Sequence, residues 1–229
     1  MGVTLGDVDQ NGTLDIASSN LEGWNALLFY CEKGPSCADA ALSGRGLDAS
    51  RQRTGWGLRS VDFDQDGWLD LFIHSGRITD PGAQTDQLFW NRGGVFKVYA
   101  PSPAEALSLD RNGRGVAFGD IDGDGDVDAV LVNAGEPAQV LMNHAASGHA
   151  LTIALDTQSV GAIVTVRAGG STRSQPVMVG DGYLGSSDPR VHFGLGDACS
   201  ADVAVKWLDG RETKIEGVSA NQVLALRRP

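Results

Sequence analysis

The chain has 229 residues, of which 41% are hydrophobic, and a formal charge of −11 at neutral pH. That length accommodates one large or two small domains, and that apolar content supports a packed core. The acidity argues against nucleic acid, because a surface of this sign is repelled by phosphate backbones. With no apolar run of about 18 residues, no transmembrane helix is expected. The 31 glycines and 8 prolines favour short strands joined by turns over long helices.

In chain order, three segments align without gaps: Gly2-Val-Thr-Leu-Gly-Asp-Val-Asp-Gln-Asn-Gly-Thr-Leu-Asp15, Gly57-Leu-Arg-Ser-Val-Asp-Phe-Asp-Gln-Asp-Gly-Trp-Leu-Asp70 and Gly115-Val-Ala-Phe-Gly-Asp-Ile-Asp-Gly-Asp-Gly-Asp-Val-Asp128. Their leading aspartates, Asp7, Asp62 and Asp120, are 55 and 58 residues apart. A period of about 50 residues predicts propeller blades or a similar array. Each loop is followed by an apolar strand (Ile16-Ala17, Leu71–Ile73, Ala129–Val132). A second apolar stretch with a bulky end comes next (Leu27–Tyr30, Gln87–Asn91, Val140–Asn143). Ser102-Pro103 is placed to open one helical turn. From about Ala150 the aspartate loops stop. Leu151–Leu155, Ala162–Arg167 and Asp202–Trp207 alternate at period two, the pattern of strands with one face on a core. The fold is therefore expected to be all-β, with blades over 1–147 and a smaller β domain over 148–229, the junction lying near Ala145–His149.

The repeated loop reads Asp-x-Asp-x-Asp/Asn-Gly-x-Leu/Val-Asp. Calcium takes six to eight oxygen ligands, and oxygens at alternate positions of a tight turn can converge on one ion. Positions 1, 3 and 5 offer the side chains of Asp7, Asp9 and Asn11; of Asp62, Asp64 and Asp66; and of Asp120, Asp122 and Asp124. Position 7 would contribute the backbone carbonyl of Thr13, Trp68 or Asp126, and position 9 closes the site with Asp15, Asp70 or Asp128. A single such loop is also explained as a polar turn. Three copies that each crowd like charges together are better explained by cations, so up to three Ca²⁺ are expected. The loop is not an EF-hand, which needs a Glu at position 12 and flanking helices. Magnesium suits it less, since that ion holds a rigid octahedron and keeps its waters. Asn11-Gly12-Thr13 also fits a glycosylation acceptor; a glycan there would remove a ligand, so the match is read as incidental.

Cys31 and Cys37 bracket five residues and are either a small disulfide loop or two free thiols, and Cys199 has no evident partner. No catalytic constellation is found: the four histidines lack metal-ligand spacing, and no nucleophile elbow or phosphate loop is present. His192 reads as a packed or hydrogen-bonded residue. The recurring tryptophans at 56, 68, 90 and 207 read as core and blade edges before they read as a sugar platform.

The loops resemble the FG-GAP/VCBS repeats of integrin-α-type β-propellers. Gly161–Gly170, Gly182–Ser187, His192-Phe-Gly-Leu-Gly196 and Trp207-Leu-Asp-Gly210 resemble the ASPIC/UnbV domain that follows such repeats in the cartilage acidic protein-like family. The usual Trp-Pro-Asp-Gly is here Trp-Leu-Asp-Gly, and the stretch before Gly161 is short. The resemblance implies a partial propeller of two to three blades followed by a small β-sandwich-like domain. It also implies a calcium-binding protein in an extracellular, periplasmic or cell-surface setting. It carries over no catalytic residue. Met1 falls inside the first repeat and no signal peptide precedes it, so the chain is expected to be a piece of a longer protein, or else a short array whose exposed blade edges self-associate. Two functions remain open: a binding or adhesion module for a protein or glycan, and an accessory protein or enzyme of polysaccharide or natural-product metabolism.

Overall fold

The structure is a computed structural model that describes all residues except 35, 40–46, 79–81, 145–146, 157–158 and 181. The expected junction at 145–149 thus falls partly outside the described residues.

The fold is all-β. Its first part is three blade-type antiparallel sheets. Blade 1 runs β1 (Val3–Gly6), β2 (Asp15–Ser18), β3 (Leu27–Cys31) and β4 (Cys37–Asp39) in that order. Blade 2 repeats this with β5 (Gly55–Val61), β6 (Asp70–Ser75), β7 (Gln87–Arg92) and β8 (Val95–Val98). Blade 3 has three strands, β9 (Gly113–Gly119), β10 (Asp128–Asn133) and β11 (Gln139–Leu141). The blades stack face to face, because each sheet has an apolar face to bury against its neighbour. Between blades 1 and 2, Val8, Ala17 and Leu28 meet Leu58, Leu71, Phe89 and Phe96. Between blades 2 and 3, Phe63, Phe72 and Leu88 meet Val116, Phe118 and Leu131, with Phe118 edge-on to Phe72 at 5.6 Å. The first strands of successive blades lie side by side, and Thr4 and Ser60 join hydroxyls across them at 3.2 Å.

The second part packs two sheets on a separate core. One has the order β15 (Val191–Gly196), β12 (His149–Leu155), β18 (Gln222–Leu226), with β12 and β18 parallel. The other has the order β14 (Ser171–Pro176), β13 (Ile163–Ala168), β16 (Ser200–Lys206), β17 (Glu212–Ser219). The alternation expected from sequence is explicit: Val164, Val166 and Ala168 of β13 and Ala201, Val203 and Val205 of β16 all point inward. Trp207 is buried with them and donates its indole N–H to Thr213 Oγ1 at 2.9 Å.

The two parts meet closely. Residues 183–188 lie along β9: the Phe118 N–H donates to Ser187 Oγ at 3.1 Å, the Asp188 N–H to Phe118 O at 2.8 Å, and Tyr183 packs on Trp56 with ring centroids 5.0 Å apart.

Two local features differ from the sequence reading. The helical turn begins at Ala106, not at Ser102: a 3-10 turn spans Ala106–Ser108. The Glu105 carboxylate accepts the Ser102 N–H at 3.0 Å and the Tyr99 hydroxyl at 2.5 Å, which makes 102–105 a separate tight turn. A second 3-10 turn, Asp48–Gln52, was not signalled by any periodicity. Ser50 holds it, accepting at 2.7 Å the N–H of Ala26, the residue before β3.

Candidate metal centres

Each aspartate-rich loop joins the first strand of a blade to its second, and each is wound by the same side chain to backbone bonds. The position 1 carboxylate accepts the N–H of the position 6 glycine: Gly12 to Asp7 at 3.0 Å, Gly67 to Asp62 at 2.8 Å, Gly125 to Asp120 at 3.2 Å. The position 5 side chain accepts the N–H two residues on: Thr13 to Asn11, Trp68 to Asp66, Asp126 to Asp124. These are Asx turns, the local alternative to ladder bonding that Asp and Asn offer. The position 6 glycines have φ of 83°, 94° and 95°, a left-handed conformation in which a side chain would be strained.

The position 9 aspartates also have a task inside the fold. One oxygen accepts the position 2 N–H: Val8 to Asp15, Phe63 to Asp70, Ile121 to Asp128. The other accepts an N–H from the third strand or from just beyond it: Cys31 to Asp15 at 2.8 Å, Asn91 to Asp70 at 2.8 Å, Asn143 to Asp128 at 2.8 Å. The acid that closes the loop therefore also staples the loop to its blade.

The geometry gathers oxygens in all three copies. Ligand atoms of Asp7, Asp9 and Asp15 lie within 4.8 Å of one another, as do those of Asp62, Asp64 and Asp66, and those of Asp120, Asp122 and Asp128. Asp7 Oδ1, Asp62 Oδ1 and Asp64 Oδ1 are buried with no hydrogen-bond partner. An oxygen-only donor set with orphaned buried carboxylate atoms fits a hard divalent cation. Burial pushes the Asp7 carboxyl up to about 7 and Asp15 to about 6, aided by neighbouring aspartates. Burial also raises Asp62 to about 8, with Asp66 adding to the shift, and Asp70 to about 9. Without a cation, the carboxylates of loops 1 and 2 are thus poorly accommodated as anions. The position 7 residues Thr13, Trp68 and Asp126 follow the left-handed glycines in all three loops. Cys31 and Cys37, beside the first loop, are joined by a disulfide, and Cys199 is an exposed free thiol.

The loops differ in what covers them. Loop 2 is roofed by the C-terminal sheets. A Cβ on Gly194 of β15 would lie 2.0 Å from Asp62 Oδ2 and 2.6 Å from Gln65 Cα, so only glycine permits this approach. The Gly196 N–H donates to Gln65 O at 2.9 Å, and the Arg173 guanidinium of β14 stands against Gly67, facing Asp62 and Asp66. From the other side Arg92 reaches Asp64 at 2.5 Å and Asp66 at 2.8 Å. Over loop 3, His192 Nε2 stands 3.1 Å from Gly125 O and Arg190 faces Asp120, while residues 121–124 are exposed.

The FG-GAP-like repeat family matches residues 62–131, and the ASPIC and UnbV family matches residues 154–229. The chain is an FG-GAP-repeat protein with a C-terminal ASPIC and UnbV domain. It is similar to cartilage acidic protein 1 of Mus musculus, 28% identical over 247 residues that cover 100% of this chain and 37% of the relative. It is also similar to cartilage acidic protein 1 of Homo sapiens (27% over 253 residues, 100% and 36%) and of Xenopus tropicalis (26% over 237 residues, 92% and 34%). The chain spans about a third of the length of these relatives. Among the described residues, no helix is long and apolar enough to cross a membrane.

Sequence reading missed the cross-links among the FG-GAP loops. Gln10 and Gln65, at position 4, are left-handed with φ of 58° and 60°. The Gln10 amide donates to Gly67 O at 2.9 Å, while the Gln65 amide donates to Gly125 O at 3.2 Å and Asp126 Oδ1 at 2.9 Å. Each glutamine thus ties its loop to the next. The available signal was a Gln at the same loop position twice, with Gly123 in the third copy. The contacts that the ASPIC and UnbV domain makes through Gly194 and Arg173 had no local signal, since the partners lie more than a hundred residues apart in the chain.

Proposed function

We propose that this chain is a calcium-binding module of an extracellular or surface protein, and that it acts by binding a protein or glycan ligand rather than by catalysis. Each loop holds one Ca²⁺ through its position 1, 3, 5 and 9 side chains and the position 7 carbonyl. When bound, the ion supplies the positive charge that the crowded carboxylates require. The observation that carries this reading is the pair of buried, unpartnered oxygens, Asp7 Oδ1 and Asp62 Oδ1, each within a cluster of carboxylates. The chain divides into repeats over 1–147 and a C-terminal domain over 148–229, and the ion in loop 2 sits where the two join. Its role there is to hold Asp62 against Gly194 and so fix the C-terminal domain on the blades. The result is a rigid scaffold whose loops and edges are free to bind.

Terbium luminescence tests this directly. Trp68 occupies position 7 of loop 2, next to the proposed ion. Excitation of tryptophan should sensitise bound Tb³⁺, excess Ca²⁺ should quench the signal by displacement, and Asp62→Ala with Asp64→Ala should dim it. A signal unchanged by the double substitution would leave loop 2 without an ion.

A further inference from the structure

Loop 2 differs from its two copies by an arginine. Cys31, Asn91 and Asn143 are equivalent, since each gives its N–H to the closing aspartate of its loop. The residues that follow them are Glu32, Arg92 and His144. Blade 1 thus has an acid at this place, blade 2 a permanent cation, and blade 3 a histidine that faces Asp126.

Arg92 reaches the ligand carboxylates of loop 2 themselves. Its Nη2 donates to Asp64 Oδ2 at 2.5 Å and its Nη1 to Asp66 Oδ2 at 2.8 Å. The other oxygen of Asp66 accepts the Trp68 N–H at 2.8 Å, so both oxygens of the position 5 carboxylate are engaged. Asp62 Oδ1 and Asp64 Oδ1 stay buried and unpartnered. The gathered set differs with the arginine. Loop 2 brings together Asp62, Asp64 and Asp66, whereas loop 3, with Asp124 at position 5, brings together Asp120, Asp122 and Asp128. Among the described residues, no arginine ion pair reaches a carboxylate of loop 1 or loop 3.

Two arginines face loop 2, and they differ in freedom. Arg173 is half-buried against Gly67, with Nε and Nη1 enclosed. The Arg92 side chain is 48% exposed, at the end of β7, and its guanidinium carbon lies 5.6 Å from the centre of the Trp90 ring. Rotation about its own side-chain bonds releases both carboxylates while the charge stays in water.

We propose that Arg92 is a built-in competitor for the loop 2 cation. It holds Asp64 and Asp66 when no ion is present and leaves them when Ca²⁺ binds. It thereby keeps the affinity of loop 2 below what Asp62, Asp64, Asp66 and Asp70 would otherwise give. A guanidinium and a divalent ion compete for the same oxygens, and their like charges repel at this range. By linkage, whatever Arg92 adds to the stability of the ion-free loop is subtracted from ion binding. The inference rests on the calcium reading of loop 2 and deepens it by naming the residue that regulates that site.

The test is a Tb³⁺ titration of the full chain, read as the midpoint of the emission that Asp62→Ala with Asp64→Ala removes. Arg92→Gln should lower that midpoint about fivefold, the upper range for a half-exposed ion pair. Arg92→Glu, which installs the blade 1 residue, should lower it further. Arg92→Lys keeps the charge and should stay within about twofold of the parent. Lys214→Gln, the same loss of charge on β17 of the C-terminal domain, should leave the midpoint where it is. Displacement of Tb³⁺ by Ca²⁺ should rank the variants in the same order. Melting curves give a second readout. In chelator Arg92→Gln should melt about 2 °C below the parent, and the gap should close in saturating Ca²⁺. A midpoint that is unmoved or raised by Arg92→Gln would make Arg92 a bystander or a positioning residue and overturn the proposal, with the calcium reading intact. An equal melting gap in chelator and in calcium would overturn it too. Absence of the loop 2 emission in parent and variants alike would overturn both.

Discussion

Loops 2 and 3 carry nearly the same sequence and sit in different surroundings. In loop 2, Asp62, Gln65, Gly67 and Asp70 are buried, the C-terminal domain lies across the turn, and two arginines flank it. In loop 3, Asp122, Gly123 and Asp124 are exposed and Asp120 is only half-buried. The motif fixes a ligand geometry. The fold decides whether that geometry is a keystone or a surface site. On the proposed cation binding, a buried loop with orphaned carboxylate oxygens depends on its cation for stability, whereas an exposed one that holds its cation weakly exchanges it at little cost to the fold.

The largest test of this contrast is a pair of substitutions. With Ca²⁺ at about a hundred times its dissociation constant, Asp62→Asn should cost about 3 kcal/mol, the linkage energy of a lost site. Asp120→Asn should cost about 1 kcal/mol or less at the same Ca²⁺ concentration, as expected of an exposed loop that holds its ion weakly and is filled only a few-fold above its dissociation constant. In chelator the Asp62→Asn cost should vanish, because the substitution then removes a poorly accommodated carboxyl. Thermal melts of both variants in both conditions measure this, and equal costs for the two loops would break the comparison.

Next in size is Gly194→Ala, which places a methyl group against Asp62 and Gln65. It should destabilise by about 2 kcal/mol, as overpacking of a fixed contact does, and should lower the Trp68-sensitised Tb³⁺ emission of loop 2.

The pH dependence sharpens the contrast by its sign. In cation-free protein Asp62 is raised to about 8 and Asp7 to about 7 by burial. Above the ordinary carboxylate range the folded state keeps protons that the unfolded chain has released, so stability should fall as pH rises from about 4 to about 8. Calcium competes with those protons, so calcium affinity should rise over the same interval. Melting curves with and without calcium across that range should therefore diverge with pH; parallel curves would contradict the assignment.

Smallest is Gln10→Gly, which relieves a left-handed side chain but loses the bond to Gly67 O. The two effects oppose each other, and the net change should stay within about 1 kcal/mol. The corresponding Gln65→Gly should cost more, because Gln65 bridges to both Gly125 and Asp126.

Much of this was legible in sequence because it is local and repeated. The Asx turns of Asn11, Asp66 and Asp124 and the left-handed glycines lie within a nine-residue window, and three copies separate the pattern from chance. The inward alternation of β13 and β16 was legible for the same reason. The double task of Asp15, Asp70 and Asp128 was not, since their second partners sit 15 to 21 residues away, at Cys31, Asn91 and Asn143. Nor was the roof over loop 2, where Gly194 and Arg173 act by proximity alone. The 3-10 turn at Asp48–Gln52 depends on Ser50 meeting Ala26, a tertiary contact that no local propensity encodes.

Calorimetric titration of the folded chain with calcium, repeated on Asp62→Asn, tests the central claim most directly. The account predicts three bound ions in the parent chain and two in the variant, with the lost site being the one whose filling raises the melting temperature most. Absence of heat up to about 1 mM CaCl₂, a range in which extracellular calcium modules fill, would contradict it.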